Sequence, residues 1–182
     1  MRQRRTFRAE QRVSISRPIA APKACRGNSL GVVLTEGGFL LSRNPDTVRG
    51  PDVSFVRADR FNAEEAGRGY FRGAPDLAIE ILSPSNRPGE THAKVADYLA
   101  AGTRLVWVID PMQQIVSVYR SLLSPRRIAA DGVLDGEDVL PEFSGSHRGL
   151  TEELTVPAVK NSVVRAARDA CRSPPRGRSP WR

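Results

Sequence analysis

Apolar positions concentrate between residues 28 and 150, and their period changes along that stretch. Val32–Leu34 and Gly38–Leu41 read as two short strands around a Glu36-Gly37-Gly38 turn. Asp52–Arg57 (DVSFVR) and Asp76–Leu82 (DLAIEIL) each follow a proline, which biases the preceding residue to extended backbone, and both have strand length and composition. Thr91–Ala101 switches to helical spacing, with Val95, Tyr98 and Leu99 at i, i+3 and i+4. Thr91 is the expected N-cap and Gly102 the stop. Leu105–Ile109 (LVWVI) is a continuous apolar run, as expected of a strand covered on both faces. Asp110-Pro111 ends that run, Ile115–Tyr119 returns as its hairpin partner, and Leu134 with Val139–Phe143 suggests a last strand pair. Strands, a helix, then a buried strand predict a mixed α/β domain: one sheet with covering helices.

The two ends lack this patterning. Residues 1–27 are basic and interrupted by proline, as in flexible chain. A helix is expected to start at Pro157, with Val159, Val163, Ala166, Ala167 and Ala170 as a partial apolar stripe, followed by a disordered basic tail from about Arg172. The expected organisation is therefore a basic segment over 1–27, a folded domain over 28–150, and a helix with tail over 151–182.

Charge follows the same division. The formal net charge of +8 splits into +7 for residues 1–27, −3 for residues 28–150 and +4 for residues 151–182. The high isoelectric point thus reports the ends and not what the folded part binds. No apolar run is long enough to span a bilayer and no secretory h-region follows a charged start, which argues against a membrane protein or a secreted precursor. With Cys25 and Cys171 far apart, no CxxC, and only His92 and His147, neither a disulfide framework nor a zinc site of the usual kind is expected. The expected compartment is the cytoplasm.

Side chains alternate along a strand, so Asp76, Ala78, Glu80 and Leu82 share one face and Leu77, Ile79 and Ile81 the other. Asp52, Ser54 and Val56 likewise share a face. If the two strands pair, Asp52 and Glu80 converge, with Asp76 near the end of its strand. An ionised Glu80 inside an apolar strand is costly unless paired or bound to a cation. Two converging carboxylates also repel unless positive charge lies between them. Mg²⁺, a hard ion that takes oxygen ligands, answers both demands, and Lys94 on the next helix is within reach of the same point. An ammonium there suits stabilisation of developing phosphorane charge.

The stretch GPDVSFV … PDLAIEILSPSN … HAKVADYLAAGTRLVWVIDP … IVSVY resembles the bacterial Uma2 family of restriction endonucleases, part of the PD-(D/E)XK nuclease superfamily, over about Leu30 to Phe143. The resemblance implies a restriction-endonuclease-like mixed sheet flanked by helices and a phosphodiesterase centre dependent on Mg²⁺ (or Mn²⁺). Asp52 and Glu80 would be the metal-binding acids, Asp76 a supporting acid of the second PD pair, and Lys94 the catalytic lysine. It also implies DNA as partner, with a homodimer as an allowed assembly. The superfamily's usual lysine position, two residues after the second acid, holds Leu82. Residues 1–27 lack the family's opening helix-and-strand pattern, so that helix is expected to be missing or replaced, and both ends read as sequence of another origin.

Other motifs read as structural. Ser83, Ser85 and Asn86 form a turn without a nucleophile elbow. Trp107 and Tyr98 read as core, His92 as incidental, and the Gly67–Gly73 run has the wrong spacing for a dinucleotide loop. The expected function is metal-dependent hydrolysis of DNA phosphodiesters. Two alternatives stand beside it: a non-catalytic protein binding nucleic acid or a partner on the same scaffold, and a truncated inactive remnant.

Overall fold

A computed structural model describes residues 30–62, 69–146 and 156–172. The expectations for residues 1–27, for most of the Gly67–Gly73 run's start and for the tail after Arg172 lie outside these. Eleven strands and two helices follow in the order β1 (Gly31–Thr35), β2 (Phe39–Ser42), β3 (Thr47–Arg49), β4 (Val53–Arg57), β5 (Phe71–Arg72), β6 (Leu77–Ile81), α1 (Pro88–Ala100), β7 (Leu105–Asp110), β8 (Ile115–Tyr119), β9 (Arg126–Ile128), β10 (Val133–Gly136), β11 (Leu140–Ser146) and α2 (Val156–Arg172) among the described residues. The expected fold class holds: a mixed sheet in the order β1-β4-β6-β7-β8-β9, covered by helices, with small sheets β3-β2-β5 and β10-β11 beside it.

Only β6 and β7 run parallel within the six-stranded sheet, and α1 is the crossover between them. That places both strands in the middle, covered on each face, which is why they read as apolar runs and why Glu80 stands out within one. One face carries Val53, Phe55, Leu77, Ile79, Leu105, Trp107 and Ile109, packed with β10-β11 and with Val159, Val163 and Ala167 of α2. Trp107 fills the middle of this layer against Phe143, ring centroids 5.0 Å apart. The other face is shorter: Ala78, Val106 and Val108 meet Val95 and Tyr98 of α1. A third cluster of Val32, Leu34, Val56, Phe39 and Phe71 joins the small three-stranded sheet to β1 and β4.

Several boundaries differ from the sequence expectation. Helix α1 begins at Pro88, with Arg87 in extended backbone at the N-cap, so Thr91 lies inside the helix and does not cap it. Proline is well placed there because its missing N–H belongs to the first turn, where no intrahelical acceptor exists. At the other end, Gly102 takes φ +97 just beyond the C-cap Ala101, the left-handed turn a glycine permits. Strands β3, β5 and β9 have two or three residues each, too short to show a period. The expected helix after Pro157 is present and buries Val159, Val163, Val164, Ala167 and Ala170.

Candidate active site

The pairing of β4 with β6 brings the two predicted acids together. Val53 lies opposite Ile79 and Ser54 opposite Ala78, so the next position outward sets Asp52 across from Glu80 on the face covered by α1. Directly opposed residues of an antiparallel pair have Cβ atoms about 5 Å apart. Asp52 stands at the mouth of its strand: Oδ2 accepts the Ile81 N–H at 2.8 Å and its main-chain oxygen accepts the Glu36 N–H at 3.2 Å. Glu80 is buried, 5% exposed, at the floor.

Burial of the Glu80 carboxylate is balanced by α1. Lys94 Nζ donates to Oε2 at 2.7 Å and Tyr98 Oη donates to Oε1 at 2.8 Å. Lysine and tyrosine four residues apart share one helical face, so a single helix supplies both donors. Burial first, and then the neighbouring Glu80 charge, push the Tyr98 hydroxyl far above the ordinary phenol range. It therefore stays protonated and works as a hydrogen-bond donor. The Arg49–Asp97 pair, Nε to Oδ2 2.8 Å, flanks this cluster and joins β3 to α1.

A second amine reaches the site from α2. Lys160 Nζ lies 2.7 Å from Glu36 Oε1 and 3.9 Å from Asp52 Oδ1. Its partner Glu36 sits at φ +54 in the turn leaving β1, and the hydrogen bond from Lys160 with its charge holds the Glu36 carboxyl below the usual glutamate range. Two acids and two amines thus converge, with Glu36 at the rim.

Asp76 does not join them. It lies at the opposite end of β6 from Glu80, about 13 Å away along the strand. Arg60 Nη1 donates to its Oδ1 at 2.8 Å and the Arg57 N–H to its Oδ2 at 2.9 Å. At 1% exposed, it ties the loop after β4 to the start of β6, so the supporting role expected for it is a structural one. The reason lies in strand length: equal parity puts Asp76 and Glu80 on one face but four residues apart.

Beside Glu80 the sheet opens into a groove of about 530 Å³ between strands β7–β9 and the first turns of α1, lined among others by Leu82, Asn86, His92, Val108, Ser117 and Arg127. Strand register orders part of this floor: Glu80 pairs with Val108, Val108 with Ser117, and Ser117 with Arg127. Ser83 and Asn86 shape its lip as a turn, the Ser83 N–H donating to Asn86 Oδ1 at 2.6 Å, which agrees with their reading as turn residues. His92 is exposed on the groove wall.

Among the described residues no group of three or more His, Cys, Asp or Glu side chains is placed to hold a metal ion. The donor set that is present, two carboxylates on one face, still suits Mg²⁺, which is commonly held by one or two carboxylates and keeps several waters. Among the described residues Asp52 Oδ1 accepts no hydrogen bond, with Lys160 Nζ 3.9 Å away, which leaves it available as a ligand. Lys94 already supplies positive charge beside Glu80 and Tyr98 a neutral hydrogen bond, so the fit for a metal rests on Asp52.

Tyr98 was legible only as core. Its spacing from Lys94 was the available signal. Lys160 carried no signal, since nothing in its local sequence connects it with Asp52.

A family model described as "Putative restriction endonuclease", Uma2, matches residues 9–156. The match begins before Leu30 and ends after Phe143, so it reaches further at both ends than the motifs indicated, at each end into residues outside those described. A crystal structure of a putative nuclease belonging to DUF820 from Anabaena variabilis is similar, with 28% identity and a TM-score of 0.60 over 70% of this chain and 71% of that one. No curated protein matches the chain.

Proposed function

Because the chain belongs to the Uma2 family of putative restriction endonucleases, we propose that it hydrolyses DNA phosphodiester bonds at the Asp52–Glu80–Lys94 cluster, with Mg²⁺ or Mn²⁺ held by the two carboxylates. The observation that carries this reading is the convergence itself: Lys94 Nζ 2.7 Å from a buried Glu80 whose cross-strand neighbour is Asp52. When bound, the metal ion supplies Lewis-acid polarisation of a phosphoryl oxygen and lowers the pKa of water.

The protein's residues do the rest. Asp52, fixed by the Ile81 N–H, presents Oδ1 to the ion. Glu80 shares its oxygens between the ion and its two donors, which each carboxylate oxygen has lone pairs enough to do. Lys94 is one-third exposed, so its ammonium can face both Glu80 and a phosphate placed at the mouth, where it stabilises charge that builds on the equatorial oxygens. Tyr98 stays neutral and fixes the rotamer of Glu80. The adjoining groove gives room for the nucleotide next to the scissile bond.

The test is cleavage of duplex DNA in Mg²⁺ or Mn²⁺ by the wild type and by Glu80→Ala. Loss of activity by about a hundredfold or more is expected, as for removal of a charge-stabilising or positioning group. Equal cleavage by both overturns the assignment of the site.

A second reading has one observation in its favour. Both Glu80 oxygens already accept hydrogen bonds and the strand position two residues on is Leu82, so the cluster is also consistent with a scaffold that binds nucleic acid without cutting it. Calorimetric titration with Mn²⁺ separates the readings, since only the catalytic one requires a divalent ion at Asp52 and Glu80.

A further inference from the structure

The site meets α2 through one residue that the metal-dependent reading does not use. Lys160 lies beyond residue 156, where the family match ends, yet its ammonium reaches the acid at the mouth of β4. Its side chain is 18% exposed and is held from two sides: Val159 and Val163 anchor the helix in the core, and Glu36 grips Nζ at 2.7 Å. Glu36 in turn donates its backbone N–H to the Asp52 carbonyl oxygen, so the tether and the acid are parts of one small framework.

We infer that Lys160 is a tethered counter-cation for Asp52 that sets how tightly the carboxylate pair takes a divalent ion. This rests on the divalent-ion reading of the site. The geometry gives the direction of the effect. Asp52 Oδ2 already accepts the Ile81 N–H, so Oδ1, which accepts no hydrogen bond among the described residues, is the freer ligand for an incoming ion, and Oδ1 is the atom that Lys160 approaches at 3.9 Å. An ion at a usual Mg²⁺–oxygen distance of about 2.1 Å from Oδ1 then lies within roughly 6 Å of the ammonium, close enough for strong repulsion in a partly buried setting. Glu36 relieves that repulsion by holding the ammonium to its own side. Removal of Lys160 therefore tightens ion binding, and removal of the Glu36 charge, which frees Lys160 to close on Asp52, weakens it.

The experiment is Mn²⁺ titration of the full chain by calorimetry, with thermal unfolding recorded for every variant. Lys160→Gln is expected to bind Mn²⁺ about tenfold more tightly and Glu36→Gln about threefold more weakly. Lys160→Arg retains the charge and is expected to match the wild type. The double variant Glu36→Gln/Lys160→Gln is expected to bind like Lys160→Gln alone, because Glu36 acts through Lys160. Unchanged or weaker binding by Lys160→Gln overturns the inference, as do strictly additive effects in the double variant. Should Glu80→Gln bind Mn²⁺ as the wild type does, the ion is not at this site and both readings fall. Loss by Glu80→Gln with no response to Lys160→Gln overturns this inference alone.

Discussion

At the scale of single residues, the site is a problem of placing buried charge. Glu80 sits in the most covered strand of the sheet, and its cost is met by two donors from one turn of α1. Tyr98→Phe removes one donor while keeping the ring's packing. The expected loss is about 1–3 kcal/mol, the penalty for leaving a buried acceptor short of a partner, read as a lower urea midpoint with unchanged slope. No change in midpoint contradicts the role given to the hydroxyl. Asp76→Asn tests the converse. Its carboxylate serves Arg60 and the Arg57 N–H far from the cluster, so stability should fall by about 1–3 kcal/mol while DNA cleavage by the folded fraction persists. Selective loss of cleavage without loss of stability would return Asp76 to the site. Sequence parity was enough to pair Asp52 with Glu80 but could not exclude Asp76, because parity fixes the face and not the distance along it. Lys94 was legible from its place on the helix that follows β6 and from the family resemblance; Lys160, more than a hundred residues from Glu36, was not.

At the scale of elements, the central strands and α1 were legible because they are long and periodic, whereas β3, β5 and β9 take their form from neighbours. Strand β9, Arg126–Ile128, is an exposed basic edge with nothing apolar until Ile128, a composition that suits an edge and hides it from a pattern search. The start of α1 was misplaced because Thr91 has the chemistry of a cap while Pro88 only has the geometry for the first turn. Ion pairs also join elements. Lys160 of α2 holds Glu36 below the ordinary glutamate range, and Arg120 at the end of β8 does the same for Asp138 before β11. A carboxyl depressed in the folded state stabilises it above the unfolded value, about 4.3 for Glu and 3.9 for Asp, and that contribution is lost as pH falls through the lowered folded value. Stability should therefore decline as pH falls below the unfolded values of about 4, and the difference in urea midpoint between wild type and Lys160→Gln should shrink as pH falls through the same range. Because Glu36 is largely exposed the effect is small. A difference that stays constant across the window contradicts the coupling.

At the scale of the whole molecule, the six-stranded sheet divides labour between its faces. One is a deep apolar layer closed by α2 and β10-β11; the other is thinner, closed by α1, and opens at the carboxylates and the groove beside them. This division explains why a mixed α/β class was readable from the order of elements while the contribution of α2 was not: its stripe predicted burial, and only the assembled sheet shows that burial on one face lets Lys160 reach the acid at the strand mouth. Among the described residues no helix is long and apolar enough to cross a membrane. The central claim, that Asp52 and Glu80 hold a divalent ion, is tested most directly by anomalous diffraction from crystals of the protein soaked in Mn²⁺. The account predicts one strong peak within about 2.0–2.4 Å of both an Asp52 and a Glu80 oxygen. A peak elsewhere, or none at a concentration that supports cleavage, would contradict it.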